Sequence, residues 1–299
     1  MRGDSLLAAG TTHLPDAPGE SLSVRDRGQP IFLFDGVSVF NLRSVARPKH
    51  IQLADGTLIP ILYEDRSVLA IDKPAGWMLV PYNWDKTGRN LQLAISSAIL
   101  GGSFWARSRS LRFLKYVHRL DAETTGILLF GKSPGAVRSY GELFESRRMH
   151  KRYLAVVRGN PEQDEWVCKA RLGPDPKEHG LHRVDPRGKE AETQFKVLER
   201  ANRLALIEAR PVTGRTHQIR LHLEHSGLPI VGDSQYGAPE DRSRRNLPMA
   251  LRAVELQYDD PFLRKRVRIT APSEKFCAQF MKPAESSSNV REAGRVEPR

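Results

Sequence analysis

Cysteine is nearly absent from this chain: two occur in 299 residues, Cys168 and Cys277, and they form no CxxC pair. That argues against a disulfide framework and a structural zinc site, and it suits a reducing compartment, so a cytoplasmic location is expected. Long hydrophobic runs are missing as well. No stretch approaches the roughly 18 apolar residues of a membrane-spanning helix, and the start MRGDSLLAAGTTHLPDAP has an apolar patch too short for a signal-peptide core. No membrane partner is expected. The chain also lacks a Walker-type or dinucleotide-type glycine loop, a GxSxG elbow and an HExxH pair. Nucleotide hydrolysis and hydride transfer therefore find no support. His217, His222 and His225 are spaced five and then three apart, which does not put all three on one helical face. No metal site and no cofactor are expected.

Positive charge is what the chain has in excess. Lys and Arg number 47 against 35 Asp and Glu, giving a formal net charge of +12 and a sequence pI near 9.9. Such an excess favours a polyanionic partner, nucleic acid first among them, against the plainer reading of a solvated basic surface. Hydrophobic residues at 39% and charged residues at 27% suit a soluble globular protein with a good core.

Residues 1–30 are rich in Gly, Pro, Ser and Asp without periodicity and read as a flexible leader. Residues 31–61 alternate short apolar runs with turn signals, as an N-terminal extension of short strands would. Residues 62–282 form the main body, and 283–299 read as a disordered tail. Within the body, strands are expected at 68–72, 126–131, 153–158, 166–172, 193–199 and 204–210. Helices are expected at 134–148, where Val137, Tyr140, Leu143 and Phe144 recur at helical spacing, and at 216–226, closed by Gly227. Strands not regularly separated by helices imply an α+β fold with a largely antiparallel sheet.

Five stretches could carry chemistry. In Tyr116–Phe130, YVHRLDAETTGILLF, a carboxylate stands just before a wholly apolar run. An acid there is costly unless paired or hydrogen-bonded, and a nearby guanidinium would keep it ionised. At 4 Å such a pair is worth about 4 kcal/mol at an effective dielectric of 20. The plain alternative is an Arg–Asp pair that pins a loop. In Lys151–Val157, KRYLAVV, Tyr153 opens an alternating strand behind a basic cluster. It could stack on a base while the cations hold phosphates, or be an ordinary core aromatic. In VTGRTHQIRLH a glycine turn runs into a helix whose first turns carry Arg215, His217, Gln218 and Arg220, a setting that favours anions. DKPAG and IVGDSQYG each read as a loop at a site.

Taken in order, DKPAG, HRLDAETTGILLF, KRYLAVV, GRTHQIRLH and IVGDSQYG resemble the sequence blocks of the RluA family of RNA pseudouridine synthases, from Leu62 to Tyr236. The resemblance implies one catalytic domain at 62–282: a long mixed, mainly antiparallel sheet with flanking helices and a basic cleft. It implies Asp121 as the catalytic aspartate, Tyr153 as the tyrosine against the target base, and Arg220 as the partner of the aspartate, with Arg215 as the fallback. Arg119 matches an arginine that helps extrude the target nucleotide. His118, Arg215, His217, Lys151 and Arg152 complete the expected RNA-binding set. The implied reaction converts uridine to pseudouridine and needs no cofactor or metal. Ribosomal RNA is the preferred partner and transfer RNA the next, with a monomer as the default. Two departures stand out: Thr125 replaces the usual Ser, and Val80-Pro81-Tyr82 lacks an expected His. The competing readings are a catalytically silent RNA-binding or ribosome-assembly protein on the same fold, and a glycosidase, which would normally need a second carboxylate.

Overall fold

The computed structural model describes residues 47–79, 89–243 and 247–281, all within one compact unit that starts at Val45. The leader, the first part of the extension, the tail and the Val80–Tyr82 turn lie outside the described residues.

The chain opens with strands β1 (His50–Gln52), β2 (Leu58–Glu64) and β3 (Val68–Lys73), then helices α1 (Leu91–Leu100) and α2 (Phe104–Arg107). After β4 (Lys115–Tyr116) and β5 (Thr125–Gly131) come helix α3 (Pro134–Glu145) and the strands β6 (His150–Arg158), β7 (Glu165–Cys168), β8 (Leu172–Pro174) and β9 (His182–Val184). The remainder is β10 (Thr193–Ala201), β11 (Leu204–Pro211), α4 (Gln218–His225), α5 (Pro239–Ser243), β12 (Leu251–Asp259), β13 (Arg266–Thr270) and α6 (Glu274–Met281).

One large sheet runs in the order β1-β2-β3-β5-β12-β6-β11-β10-β7, with β4 beside β5 and β13 beside β12; β8 and β9 pair separately. Its joins are antiparallel except β5 with β12, which lie parallel. The α+β class with a mixed, mainly antiparallel sheet is therefore what the chain adopts. No helix among the described residues is long and apolar enough to cross a membrane.

Strands β3 and β5 read as continuous apolar runs because both of their faces are covered. Val68, Ala70, Ile127 and Leu129 join Tyr140 and Leu143 of α3 in one core, whereas Leu69, Ile71, Leu128 and Phe130 belong to a larger core with Leu91 and Ile95 of α1. Helix α3 starts at Pro134 behind Ser133, whose hydroxyl accepts from the Ala136 N–H. The amphipathic spacing places Tyr140 and Leu143 on its buried face.

Several boundaries differ from the sequence reading: β6 begins at His150, three residues before the expected 153, and α3 ends at Glu145, three before the expected 148. The division at 61/62 falls inside β2, and β1 and β2 extend the main sheet, so residues 50–61 are part of the domain. The strand expected at 166–172 breaks after Cys168, and Leu172 turns to pair with Val184 in the small sheet. Gly126 lies within β5, in keeping with the strand expected at 126–131. At φ +105° it faces Ala253, and a Cβ there would stand 2.1 Å from the Ala253 carbonyl oxygen. Glycine is what lets β5 and β12 close the sheet beside Asp121.

Candidate active site

Asp121 sits in the turn that enters β5, where the Thr124 N–H donates to its carbonyl at 3.2 Å. The turn is held from beneath by Lys73, the last residue of β3. Its fully buried ammonium donates to the carbonyls of Ala122 (2.7 Å), Pro74 (2.9 Å) and Thr124 (3.0 Å). Burial brings the Lys73 pKa down to about 8, with Glu123 and Asp121 pulling it back up. Among the residues named for chemistry, sequence reading missed Lys73. Its signal was a lone lysine closing an apolar strand.

The Asp121 side chain is 27% exposed and faces Arg220, whose side chain is 7% exposed, across 3.2 Å between Oδ2 and Nη1. Arg220 projects from α4 and is anchored on its other side. Its Nε and Nη2 each donate to Asp233 at 2.7 Å, Nη2 also donates to Gln235 Oε1 at 2.7 Å, and the guanidinium lies 4.8 Å from the centre of the Tyr236 ring. Although burial opposes it, pairing with Arg220 holds the Asp233 carboxyl below its ordinary range. Burial likewise opposes the Arg220 charge, and Asp233 and Asp121 raise its pKa in return. Arg220, not Arg215, is thus the partner of Asp121. Arg215 instead donates from Nε to the Glu190 carbonyl at 2.8 Å.

Helix α4 is locked in place by a buried polar chain. Gln218 Oε1 accepts from the Thr213 hydroxyl (2.7 Å) and the Arg215 N–H (2.9 Å), while its Nε2 donates to the Glu192 carbonyl and the Thr193 hydroxyl, both at 2.9 Å. His222 donates from Nε2 to the Ala170 carbonyl at 3.0 Å, so its Nδ1 accepts from Thr193 at 2.9 Å. A buried group left unpaired costs about 1–3 kcal/mol, so these bonds fix where Arg220 emerges.

Tyr153 lies on β6 between Ala253 of β12 and Ala209 of β11, which face it directly across the sheet. With Gly126 beside Ala253, the neighbours of Tyr153 across the sheet are small. Tyr153 is 9% exposed. Burial and then the Asp121 charge push its phenol above the ordinary range, so it is a neutral hydroxyl at physiological pH.

The expected RNA-binding residues divide. Arg119 is exposed, with its Nη2 3.5 Å from the Thr216 hydroxyl. His217 points at Asp121, Nε2 to Oδ1 3.9 Å. Lys151 shares the Tyr153 face by strand alternation and donates to the Thr213 carbonyl at 3.0 Å; burial lowers its pKa to about 8. Arg152 points to the opposite face, bracketed by Glu208 and Glu255 at 3.3 Å each. His118 is an internal brace: Nε2 accepts the Leu129 N–H at 3.2 Å and the ring stacks on Phe144 at 4.5 Å. Burial, with Lys151 nearby, takes its pKa down to about 3.

Residues 67–225, which contain Asp121, Tyr153 and Arg220, match the family model described as RNA pseudouridylate synthase. The chain belongs to that family. It is an RNA pseudouridine synthase, an isomerase that converts uridine to pseudouridine. Over 246 residues it is 35% identical to the ribosomal large subunit pseudouridine synthase C of Escherichia coli K12, and equally to that of Salmonella typhimurium, covering 79% of this chain and 74% of each relative. Among solved structures, human RNA pseudouridylate synthase domain containing 1 superposes with a TM-score of 0.57 at 25% identity, over 72% of this chain and 83% of the other.

Proposed function

We propose that this pseudouridine synthase acts on ribosomal RNA of the large subunit and that Asp121 is its catalytic carboxylate. The observation that carries the second part is the pairing of a partly exposed Asp121 with a buried, doubly anchored Arg220. The names of the bacterial relatives at 35% identity support the substrate class.

The reaction breaks N1–C1′ of a uridine, turns the uracil, joins C5 to C1′, and moves the C5 proton to solvent while N1 regains one. An enzyme reaches those atoms by taking the nucleotide out of its stack. Arg119, exposed two residues before Asp121, helps extrude the nucleotide and fills the vacated space. Tyr153 packs the flipped base from below. Asp121 then meets C1′ and C2′, either to attack the first or to deprotonate the second. Both routes need the carboxylate charged and fixed, and Arg220 provides for both. As a neutral phenol, Tyr153 can pass the C5 proton to water through its hydroxyl and does not act as a standing phenolate base. The protein is taken to work as a cytoplasmic monomer.

The test compares purified wild type and Asp121→Asn on large-subunit ribosomal RNA and on transfer RNA, with pseudouridine mapped at nucleotide resolution. New pseudouridine in ribosomal RNA with wild type alone is expected. Product from the variant would remove Asp121 from its role, and modification confined to transfer RNA would overturn the substrate assignment.

A further inference from the structure

His217 was read from the sequence as an RNA contact, yet its surroundings give it a different task. The ring lies between two partners: Nε2 faces Asp121 Oδ1 at 3.9 Å and Nδ1 lies 2.8 Å from the Tyr236 hydroxyl. That hydroxyl is already the acceptor of the His182 backbone N–H at 2.9 Å. A phenol has one proton to give. Donating it to His217 Nδ1 is the arrangement that gives the proton a partner among the described residues. It leaves the imidazole proton on Nε2, directed at the carboxylate. The opposite tautomer would aim a lone pair at Asp121 and leave the phenol proton without that partner.

We infer that Tyr236 sets the tautomer of His217, and that His217 is a positioning residue holding Oδ1 of Asp121 while Arg220 holds Oδ2. Two further observations agree. His217 has φ +56° and ψ +20°, the left-handed region that side chains other than glycine seldom adopt, and it does so just ahead of α4. Strain of this kind persists where the surroundings demand an orientation. Burial also takes the His217 pKa down to about 4, with Asp121 raising it and Arg220 and His182 lowering it, so the ring is a neutral donor at physiological pH. The gap of 3.9 Å is longer than a hydrogen bond, and such contacts commonly tighten only when substrate is bound.

The consequence concerns the turn Asp233–Tyr236. Asp233 grips Arg220, and Tyr236 supports Arg220 with its ring and His217 with its hydroxyl. Both holders of the catalytic carboxylate therefore rest on four consecutive residues. Through the His182 N–H the same hydroxyl ties β9, and with it the small β8–β9 sheet, to the site.

This inference rests on the proposed role of Asp121, and the test separates the two. The full-length protein labelled with nitrogen-15 gives the His217 tautomer directly, assigned by difference from His217→Gln. A proton on Nε2 is expected; a proton on Nδ1 overturns the inference, whatever the RNA results. Single-turnover rates and RNA affinity are then measured for three variants. Glutamine places an N–H near the Nε2 position and asparagine near the Nδ1 position. His217→Gln should therefore keep most of the rate, and His217→Asn should lose about tenfold or more, in the range of a lost positioned hydrogen bond. Tyr236→Phe keeps the ring over Arg220 and should slow turnover by about tenfold at unchanged affinity. Equal impairment by Gln and Asn, or a Tyr236→Phe loss expressed wholly as weaker RNA binding, defeats the positioning role. Failure of wild type to form pseudouridine would strike the proposed function instead.

Discussion

Arg220 and Asp233 meet as a two-pronged buried pair, Nε and Nη2 to the two carboxylate oxygens at 2.7 Å each. The same Asp233 Oδ1 accepts the N–H groups of Gln235 (2.9 Å) and Tyr236 (3.0 Å), so the acid is also held by its own turn. With one edge of the guanidinium engaged, Nη1 is the corner left to present to Asp121. A planar fork can serve two carboxylates at a fixed angle, which a lysine ammonium cannot. Asp233→Asn leaves the buried guanidinium without its main counter-charge. The expected cost is about 3–5 kcal/mol in urea unfolding, the range for breaking a buried pair from one side. Turnover should fall with it. A variant as stable and active as wild type would show that Arg220 does not depend on Asp233.

Lys73→Met tests the underside of the same site. Methionine keeps the apolar stem and removes the donor to three carbonyls in the turns at Pro74 and Ala122–Thr124. Hydrogen bonds to a charged group contribute about 1.5–3 kcal/mol each, offset here by the cost of burying the ammonium. A net loss of about 2 kcal/mol is expected on the same charged-bond scale. The single-turnover rate should drop more than RNA affinity does, because Asp121 shifts while the exposed cations stay. Equal falls in rate and affinity would argue that Lys73 serves the whole domain and not the Asp121 turn.

Much of this site is legible in the sequence because its parts lie in short blocks of fixed spacing. Asp121 before an apolar strand, Tyr153 within another and Arg220 in the first turns of a helix all follow from local pattern. What pattern does not report is which distant groups meet. Lys73 reaches carbonyls 49 and 51 residues away, and His217 finds Tyr236 19 residues on. DKPAG and IVGDSQYG were recognisable as loops at a site, but not as the supports of Asp121 and Arg220. The orientation of Arg152 is carried by period-two alternation: a neighbour of Tyr153 on one strand points to the other face, where Glu208 and Glu255 meet it. The 61/62 boundary fails because apolar runs in a separate extension and in strands that join the main sheet look alike. Only pairing with β3 tells them apart.

His118 gives the acid side of the stability curve a definite sign. Its folded pKa of about 3 lies below the ordinary 6.5. Between those values the unfolded chain binds a proton that the folded chain does not, so acidification favours unfolding. The contribution is complete above pH 6.5 and disappears as pH falls toward 3. His217, with a folded pKa of about 4, acts in the same direction. His118→Gln keeps an acceptor for the Leu129 N–H but cannot titrate. Unfolding free energies from pH 7.5 down to 4 should show a shallower acid slope than wild type, with a loss of about 1 kcal/mol at the neutral end. An unchanged slope would mean that His118 takes up its proton in the folded state as readily as in the unfolded one.

Charge alone does not decide which arginines touch RNA, and Arg119 and Arg152 make the point sharply. Arg119 is exposed, and its contact with Thr216 is long at 3.5 Å. Arg152 is bracketed by Glu208 and Glu255, which themselves pair with Arg210 at 2.8 Å and Arg268 at 2.7 Å. A cation already neutralised on the face away from Tyr153 releases no counterion when RNA binds. Each phosphate contact contributes about 0.7–0.9 to the slope of log affinity against log salt. Arg119→Ala should weaken binding and flatten that slope by roughly one contact on this scale. Arg152→Ala should leave the slope as it was, and its effect should instead be a loss of stability as two acids lose their shared partner. RNA titrations across a salt series, run beside urea unfolding of the same two variants, separate these outcomes. A slope change in Arg152→Ala matching that of Arg119→Ala would place RNA on the Glu208–Glu255 face and require a second path for the strand.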